Sequence, residues 1–469
     1  MSEAGDMLVL LRQFVEPAVV DAIKDLVEHG KDHQLSRINV LAFAERNGLD
    51  EEASVAAFLH AARIGMFDIS WNVLCPGCGG VLDTNASLST IRKDEYVCAL
   101  CADTYRPTLD ELVEVTFTVS HRVRRIAAHM PDELPLGEYY RQMYWGSGID
   151  VPDESYDALF DEFTIDHVEL EPGEKAVLSL QLPAEFIIVF EPVTHSAQFL
   201  DVKGEPTRER QALSLSFDRE HTHNQTIEMR PGPLRLVLEN RTDRRALPSI
   251  CIAGEALHHM LGSRRPFLTA KRLLTNQTFR DLYRTNTLDL DQRLKITSLT
   301  FLFTDLRGST ELYERVGDLV AFDLVQAHFR VLNQIVAAEA GAVVKTIGDA
   351  VMATFPTPDR AVAAALRMRE AMRRLNAENG SEDLLLKIGV HEGPCIAVAM
   401  NERQDYFGQT VNIASRVQGL ADSQSIFVTA AVVDDARTAE LLRGKALEPE
   451  VHAAMLRGIE REFQVYAIP

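Results

Sequence analysis

The hydrophobic pattern changes period three times along the chain. Over positions 1–70 the apolar residues recur with helical spacing. Leu8 to Leu11 begin one helix, and Val19, Val20, Ile23, Leu26 and Val27 share a face of the next. Leu41, Ala42 and Ala44 belong to a third that Gly48 stops, and Asp50 caps a fourth over 53–64. Period two then takes over. The runs 112–119, 176–182, 213–217 and 233–240 alternate apolar with polar residues between Pro, Gly and Asp. That pattern predicts antiparallel strands in a sandwich or jelly roll. Helical spacing returns through Leu257, Leu261, Leu273, Leu274, Phe279, Leu282 and Tyr283. Beyond 297 the chain reads strand 299–304, helix 311–340, strands 342–347 and 350–355, helix 359–377, strands 384–390 and 394–399, helix 409–421 and strand 425–428. This order predicts an antiparallel sheet with helices on one face, a ferredoxin-like α+β core.

Four cysteines interrupt the first change of period. Cys75 and Cys78 are followed, after 19 residues, by Cys98 and Cys101. Paired CxxC turns at this distance are zinc-ribbon spacing. Four thiolates close a tetrahedron with no open position, so the expected Zn²⁺ is structural. A redox dithiol or free thiols are the alternatives, and Trp71 and Tyr105 are expected to pack against the ribbon. The chain therefore divides into five parts: 1–74, helical and winged-helix-like; 75–109, zinc ribbon; 110–254, β-rich; 255–296, a helical linker or a signalling helix that pairs with its copy; and 297–469. In the β-rich part His221 and His223 share a face if they lie on a strand, as a metal or ligand site or as solvated loop histidines.

Charge narrows the partners. The formal net charge is −21, and acidic residues also exceed basic ones within the first 110 positions. Winged-helix pieces either bind DNA or serve as dimerisation and regulatory modules. The acidic balance argues against nucleic acid and against anionic membrane. No run reaches the roughly 18 apolar residues of a membrane helix, and the run at 186–190 is strand-sized. The start, MSEAGD, lacks the basic and apolar segments of a secretory signal. The expectation is a soluble cytoplasmic protein, with Cys251 and Cys395 as buried small hydrophobes.

The chemistry concentrates in the last third. Asp305 and Asp349 each end an apolar run, in FTDLRGST and VVKTIGDAVMATF. Two carboxylates at strand ends can share a pair of divalent cations, which clamp the oxygens of a displacement at phosphorus. Gly308, Ser309 and Thr310 open a helix whose free N–H groups can receive phosphate. With a third motif, DYFGQTVNIASRV, these segments resemble, in order and spacing, the catalytic domain of class III adenylate and guanylate cyclases, over about 297–469.

The resemblance implies that Asp305, Asp349 and the carbonyl of Leu306 bind two Mg²⁺ or Mn²⁺ ions per active site. It implies ATP as substrate, because Lys345 and Asp405 stand at the base-selecting positions. Adenine offers an N6 donor and an N1 acceptor; Lys supplies only donors and ionised Asp only acceptors. Asn412 and Arg416, four apart on one helix face, match the residues that orient the ribose and stabilise charge at the α-phosphate. Lys387 and Arg457 match triphosphate-binding positions. The stretch 394–404 lacks the glycines and the length of the arm that many relatives carry. A homodimer with shared sites is implied, for intracellular signalling. A catalytically degenerate or guanylate-type module acting as a nucleotide-binding regulator is the alternative.

Overall fold

The computed structural model describes residues 3–152, 155–218, 226–283, 294–380, 383–400, 403–422, 425–456 and 462–469. It forms two compact units, Met1–Pro107 with Glu111–Leu268, and Thr108–Asp110 with Thr269–Pro469. His221, His223 and Arg457 lie outside the described residues, as does part of the segment 255–296. No helix among the described residues is long and apolar enough to cross a membrane.

After an opening helix, Glu3–Leu11, the first unit continues with helices Pro17–His29, Val40–Asn47 and Glu51–Arg63. Asn39 caps Val40–Asn47 by accepting the Leu41 and Ala42 N–H groups, and Gly48 ends it in the left-handed conformation at φ 62°. Asp50 caps Glu51–Arg63 through the Ala53 N–H at 2.8 Å. Strand Phe67–Leu74 follows and pairs antiparallel with Val113–Val119. The alternating run at 112–119 thus belongs to the N-terminal sheet and not to the later β-rich region, crossing the boundary drawn at 110. Register explains it: Phe67 and Val119 are paired, and Phe117 joins the cluster of Phe58 and Phe67.

The β-rich region has two sheets. Gln211–Phe217, Gly232–Asn240 and Lys175–Leu182 form one; Thr226–Met229, Ser196–Val202, Phe186–Glu191, Ser249–Ile252 and Thr164–His167 form the other. Leu180, Leu215, Leu236, Ile187, Leu200 and Ile250 from both sheets share one buried core. Two pairings are parallel, 211–217 on 232–240 and 226–229 on 196–202, so the all-antiparallel expectation is corrected. Alternation reports a half-buried strand but not its direction.

The second unit is a mixed eight-stranded sheet in the order Ala342–Ile347, Ala350–Phe355, Leu294–Leu306, Leu386–Met400, Ile426–Thr429, Glu462–Ile468, Glu450–Met455, with Arg403–Phe407 paired to Leu386–Met400. Helices Asp318–Ala338 and Pro358–Asn379 bury Leu332, Val336, Ala365 and Met368 against Leu302, Val351, Ile388 and Val428. Helix Gln409–Leu420 packs elsewhere: its Ile413 and Val417 meet Val465 and Phe427. Phe427 alternates with Ile426 and Val428, so this helix covers the opposite face. The one-sided ferredoxin-like layout is corrected accordingly, and Ile388–Val390 runs parallel to Ile426–Val428.

Two element readings change for local reasons. The expected helix 311–340 is two, Ser309–Val316 and Asp318–Ala338, broken at Gly317 with φ 79°. The expected strands 384–390 and 394–399 are one, Leu386–Met400. Pro394 is tolerated there because it faces a bulge: Ile296 pairs Cys395 and Leu299 pairs Gly393, so Thr297 and Ser298 together stand opposite Pro394 alone. Asp110 binds that bulge, its carboxylate accepting the Thr297 N–H and hydroxyl. The segment Ala270–Leu282, read as linker, belongs to this unit.

Candidate active site

The strand Leu294–Leu306 carries Asp305 at its end, and Gly308, left-handed at φ 71°, turns the chain into helix Ser309–Val316. The neighbouring hairpin reverses at Gly348, with φ 65°, which sets Asp349 at the start of Ala350–Phe355. Thr304 pairs with Val351, so the two aspartates fall at the same end of adjacent strands. Their chemistry is coupled. Burial pushes the Asp305 carboxyl up, the charge of Asp349 pushes it further, and Lys387 opposes both. Lys387 lies directly across the ladder from Asp305. The Asp349 Oδ2 is buried and has no hydrogen-bond partner. An orphaned, buried carboxylate oxygen beside a second carboxylate is a donor set that fits a divalent metal. Leu306 is buried at the strand end.

Lys345 and Asp405 are 60 residues apart and meet: Nζ lies 2.6 Å from Oδ2. Lys345 follows a bulge at Val344, and Asp405 pairs with Val398. Asp405 Oδ1 also accepts the Tyr406 N–H at 2.9 Å. Neither residue is exhausted by the pair, since ammonium has three donors and carboxylate about four acceptor sites. A base edge with one donor and one acceptor can join them.

Helix Gln409–Leu420 buries Ile413, Ala414 and Val417, which turns Asn412 outward and leaves Arg416 half-exposed. Among the described residues no ion pair engages Arg416, and none links either residue to the aspartates. The structure therefore joins Asp305 with Asp349 and Lys387, and Lys345 with Asp405, as two groups within one chain. Sequence reasoning passed over Gln277 and Arg280, which reach the strands of the second group. They lie in a stripe where the eye follows apolar residues, and their partners are backbone atoms without a motif.

In the first unit the sulfurs of Cys75, Cys78, Cys98 and Cys101 lie within 4.8 Å of one another. Hairpin Tyr96–Cys98 with Asp103–Tyr105 presents the second pair, and the turn closes at Ala102 with φ 53°. The Cys101 contact, with those of Cys78 and Cys98, pulls the Cys75 thiol down; the contacts with Cys101 and Cys75 push Cys78 up, and burial adds to this. Four soft donors in one buried site suit a tetrahedral cation. Tyr105 packs on this cluster, whereas Trp71 is buried in the strand Phe67–Leu74.

Residues 1–281 match the model of a family of unknown function, DUF5939. The chain belongs to the DUF5939 family. Its residues 292–464 match the adenylate and guanylate cyclase catalytic domain, so the second unit of this DUF5939 protein is a cyclase domain. An adenylate cyclase of Anabaena cylindrica is 27% identical over 185 residues, 36% of this chain and 36% of the relative. One from Streptomyces griseus is 33% identical over 154 residues, 32% of this chain and 35% of the relative. The match thus spans about a third of these relatives' length. The crystal structure of the adenylyl cyclase CyaB from P. aeruginosa aligns with 38% of this chain and 96% of its own, at 23% identity and TM-score 0.34.

Proposed function

We propose that this protein is an adenylate cyclase that converts ATP to 3′,5′-cyclic AMP and pyrophosphate for intracellular signalling. The observation that carries this reading is the Lys345–Asp405 contact at 2.6 Å, which assembles an adenine-complementary donor and acceptor from distant segments. Asp305, Asp349 and the Leu306 carbonyl would hold two Mg²⁺ or Mn²⁺ ions. When bound, these supply activation of the ribose 3′-hydroxyl and neutralisation of the triphosphate. The 3′-oxygen bonds to the α-phosphorus, its proton leaves, and the bond to pyrophosphate breaks. Lys345 donates to adenine N1 and Asp405 accepts from N6. Lys387, beside Asp305, meets the triphosphate, as do the N–H groups that open the helix after Gly308 and, by sequence match, Arg457. Asn412 orients the ribose. Arg416 stabilises charge gathering at the α-phosphate, which its permanently charged fork suits.

The two groups of residues act together across a homodimer, in which one protomer's aspartates face its partner's base-recognising pair. Exposed apolar side chains on the cyclase unit support a second copy: Leu319 is 84% exposed, Phe322 55%, Ile347 54% and Phe407 53%. The four cysteines hold a structural Zn²⁺. The winged-helix-like and sandwich-like regions serve as regulatory modules in the cytoplasm, and nucleic acid is not a partner.

Turnover of the full-length protein with ATP and, separately, GTP in Mg²⁺ and Mn²⁺ tests this. Cyclic AMP that disappears in Asp305→Ala is the expected result. Preference for GTP, or tight ATP binding without product in both metals, would replace it with the guanylate-type or nucleotide-binding reading.

A further inference from the structure

The strands that carry Lys345 and Asp405 are not hydrogen-bonded to each other. Ala342–Ile347 is an edge of the sheet, and among the described residues Arg403–Phe407 pairs only with Leu386–Met400. No ladder therefore sets the distance between the two side chains. A short helix, Gln277–Leu282, touches both strands. Gln277 Oε1 accepts the Val343 N–H at 2.8 Å. Arg280 Nη2 donates to the Gln404 carbonyl at 2.9 Å and to the Val344 carbonyl at 3.4 Å. Val344 immediately precedes Lys345, and Gln404 immediately precedes Asp405. Val344 is also the bulged residue, left out of the register between Val343 and Lys345. The helix is itself fixed: Asn276 caps it through the Phe279 N–H at 3.0 Å, and Phe279 is buried. Tyr406 ties the same strand to the preceding turn, its hydroxyl donating to the Leu274 carbonyl at 3.4 Å.

We infer that Arg280 is a positioning residue for base selection, spacing Lys345 and Asp405 by bridging the carbonyls of the residues before them. This rests on the reading of that pair as the adenine-recognising one. A guanidinium suits the task because the two N–H groups of its Nη2 diverge in one plane and reach two acceptors at a fixed angle. A site that recognises a base by hydrogen bonds discriminates only while donor and acceptor hold the spacing of the base edge. Loss of the bridge lets the two strands drift, which weakens adenine recognition and relaxes rejection of guanine. The aspartates and Lys387 lie on other strands and are untouched, so turnover at saturation changes little.

The test compares kcat and KM for ATP and GTP in full-length wild type, Arg280→Gln and Lys345→Ala, and in the double variant. The expected result is a KM for ATP raised about tenfold in R280Q, and an ATP-over-GTP preference in kcat/KM lowered about tenfold. The kcat for ATP should stay within about threefold. In the K345A background, R280Q should leave the preference unchanged, because the two act through one element. A wild type that prefers ATP through Lys345, with an R280Q that keeps the full preference, overturns the positioning role even if the thermal midpoint falls. A wild type without ATP preference, or a K345A that retains it, overturns the adenine reading itself and the positioning role with it. If R280Q does not fold, Arg280→Lys carries the same comparison: it keeps charge and stem but not the planar Nη2 with its fixed pair of N–H directions.

Discussion

Single atoms account for the site. The buried, unpartnered Asp349 Oδ2 lies beside the Asp305 carboxyl, and burial and the like charge of Asp349 raise the Asp305 pKa; this is the donor set the proposed metal pair would use. Asp349→Asn should therefore abolish saturable Mn²⁺ binding and lower cyclase turnover on the order of a hundredfold or more. Manganese titration followed by electron paramagnetic resonance reads the first effect without activity. Arg416→Ala should lower kcat by about a hundredfold to a thousandfold with a smaller change in KM, since its interaction grows only as charge develops. His391 gives a pH signature. Burial brings its pKa from 6.5 to about 4, and its ring nitrogen bonds the Thr429 hydroxyl at 2.7 Å. The folded state resists a proton that the unfolded chain accepts, so the contribution is full above pH 6.5 and is lost as pH falls toward about 4. The thermal midpoint of the cyclase unit should drop from about pH 7 to about pH 5, and His391→Asn should flatten that slope.

At the scale of elements, close approach decides the architecture. A Cβ on Gly389 would stand 2.1 Å from the Gln418 nitrogen and 2.4 Å from its Cα. The strand Leu386–Met400 thus admits helix Gln409–Leu420, which carries Asn412 and Arg416, only because this position has no side chain. Gly389→Ala should destabilise by about 1–3 kcal/mol and lower kcat, as the helix is pushed off the sheet. Calorimetry with parallel kinetics checks both. Most elements around the site were legible before the fold: the two aspartate strands, the hairpin at Gly348 and the helix of Asn412 and Arg416. The break at Gly317 and the continuity through Pro394 were not. A lone glycine inside helical spacing is ambiguous, and a proline is excused only by a bulge on the neighbouring strand, which no local pattern reports.

At the scale of the molecule, the two compact units predict separable behaviour. The four clustered thiols in the first unit, three of them buried, should take up one Zn²⁺ per chain, and Cys98→Ser or a strong chelator should lower that unit's unfolding midpoint well before the other's. Metal analysis and differential scanning calorimetry read this together. The second unit includes Thr108–Asp110 and Ala270–Leu282. A fragment 285–469 therefore lacks the Asp110 contacts to the Thr297 bulge and the Gln277–Leu282 helix. That fragment should unfold at a lower temperature than the cyclase unit of the full chain.

The sequence by itself determined which residues are the candidates for the chemistry. Two aspartates at strand ends, an Asn and an Arg one helical turn apart and four cysteines in two turns are local patterns, whereas the base-selecting reading of Lys345 and Asp405 rests on the resemblance to class III cyclases. The tertiary structure alone decided what those elements do to one another. Strand Val113–Val119 pairs backward across the cysteine hairpin, and helix Gln409–Leu420 takes the second face of the sheet. Lys345 and Asp405 meet from strands that share no ladder, under an arginine that bonds only backbone carbonyls. Periodicity records which side of an element is apolar; it holds no information about which distant surface will cover that side.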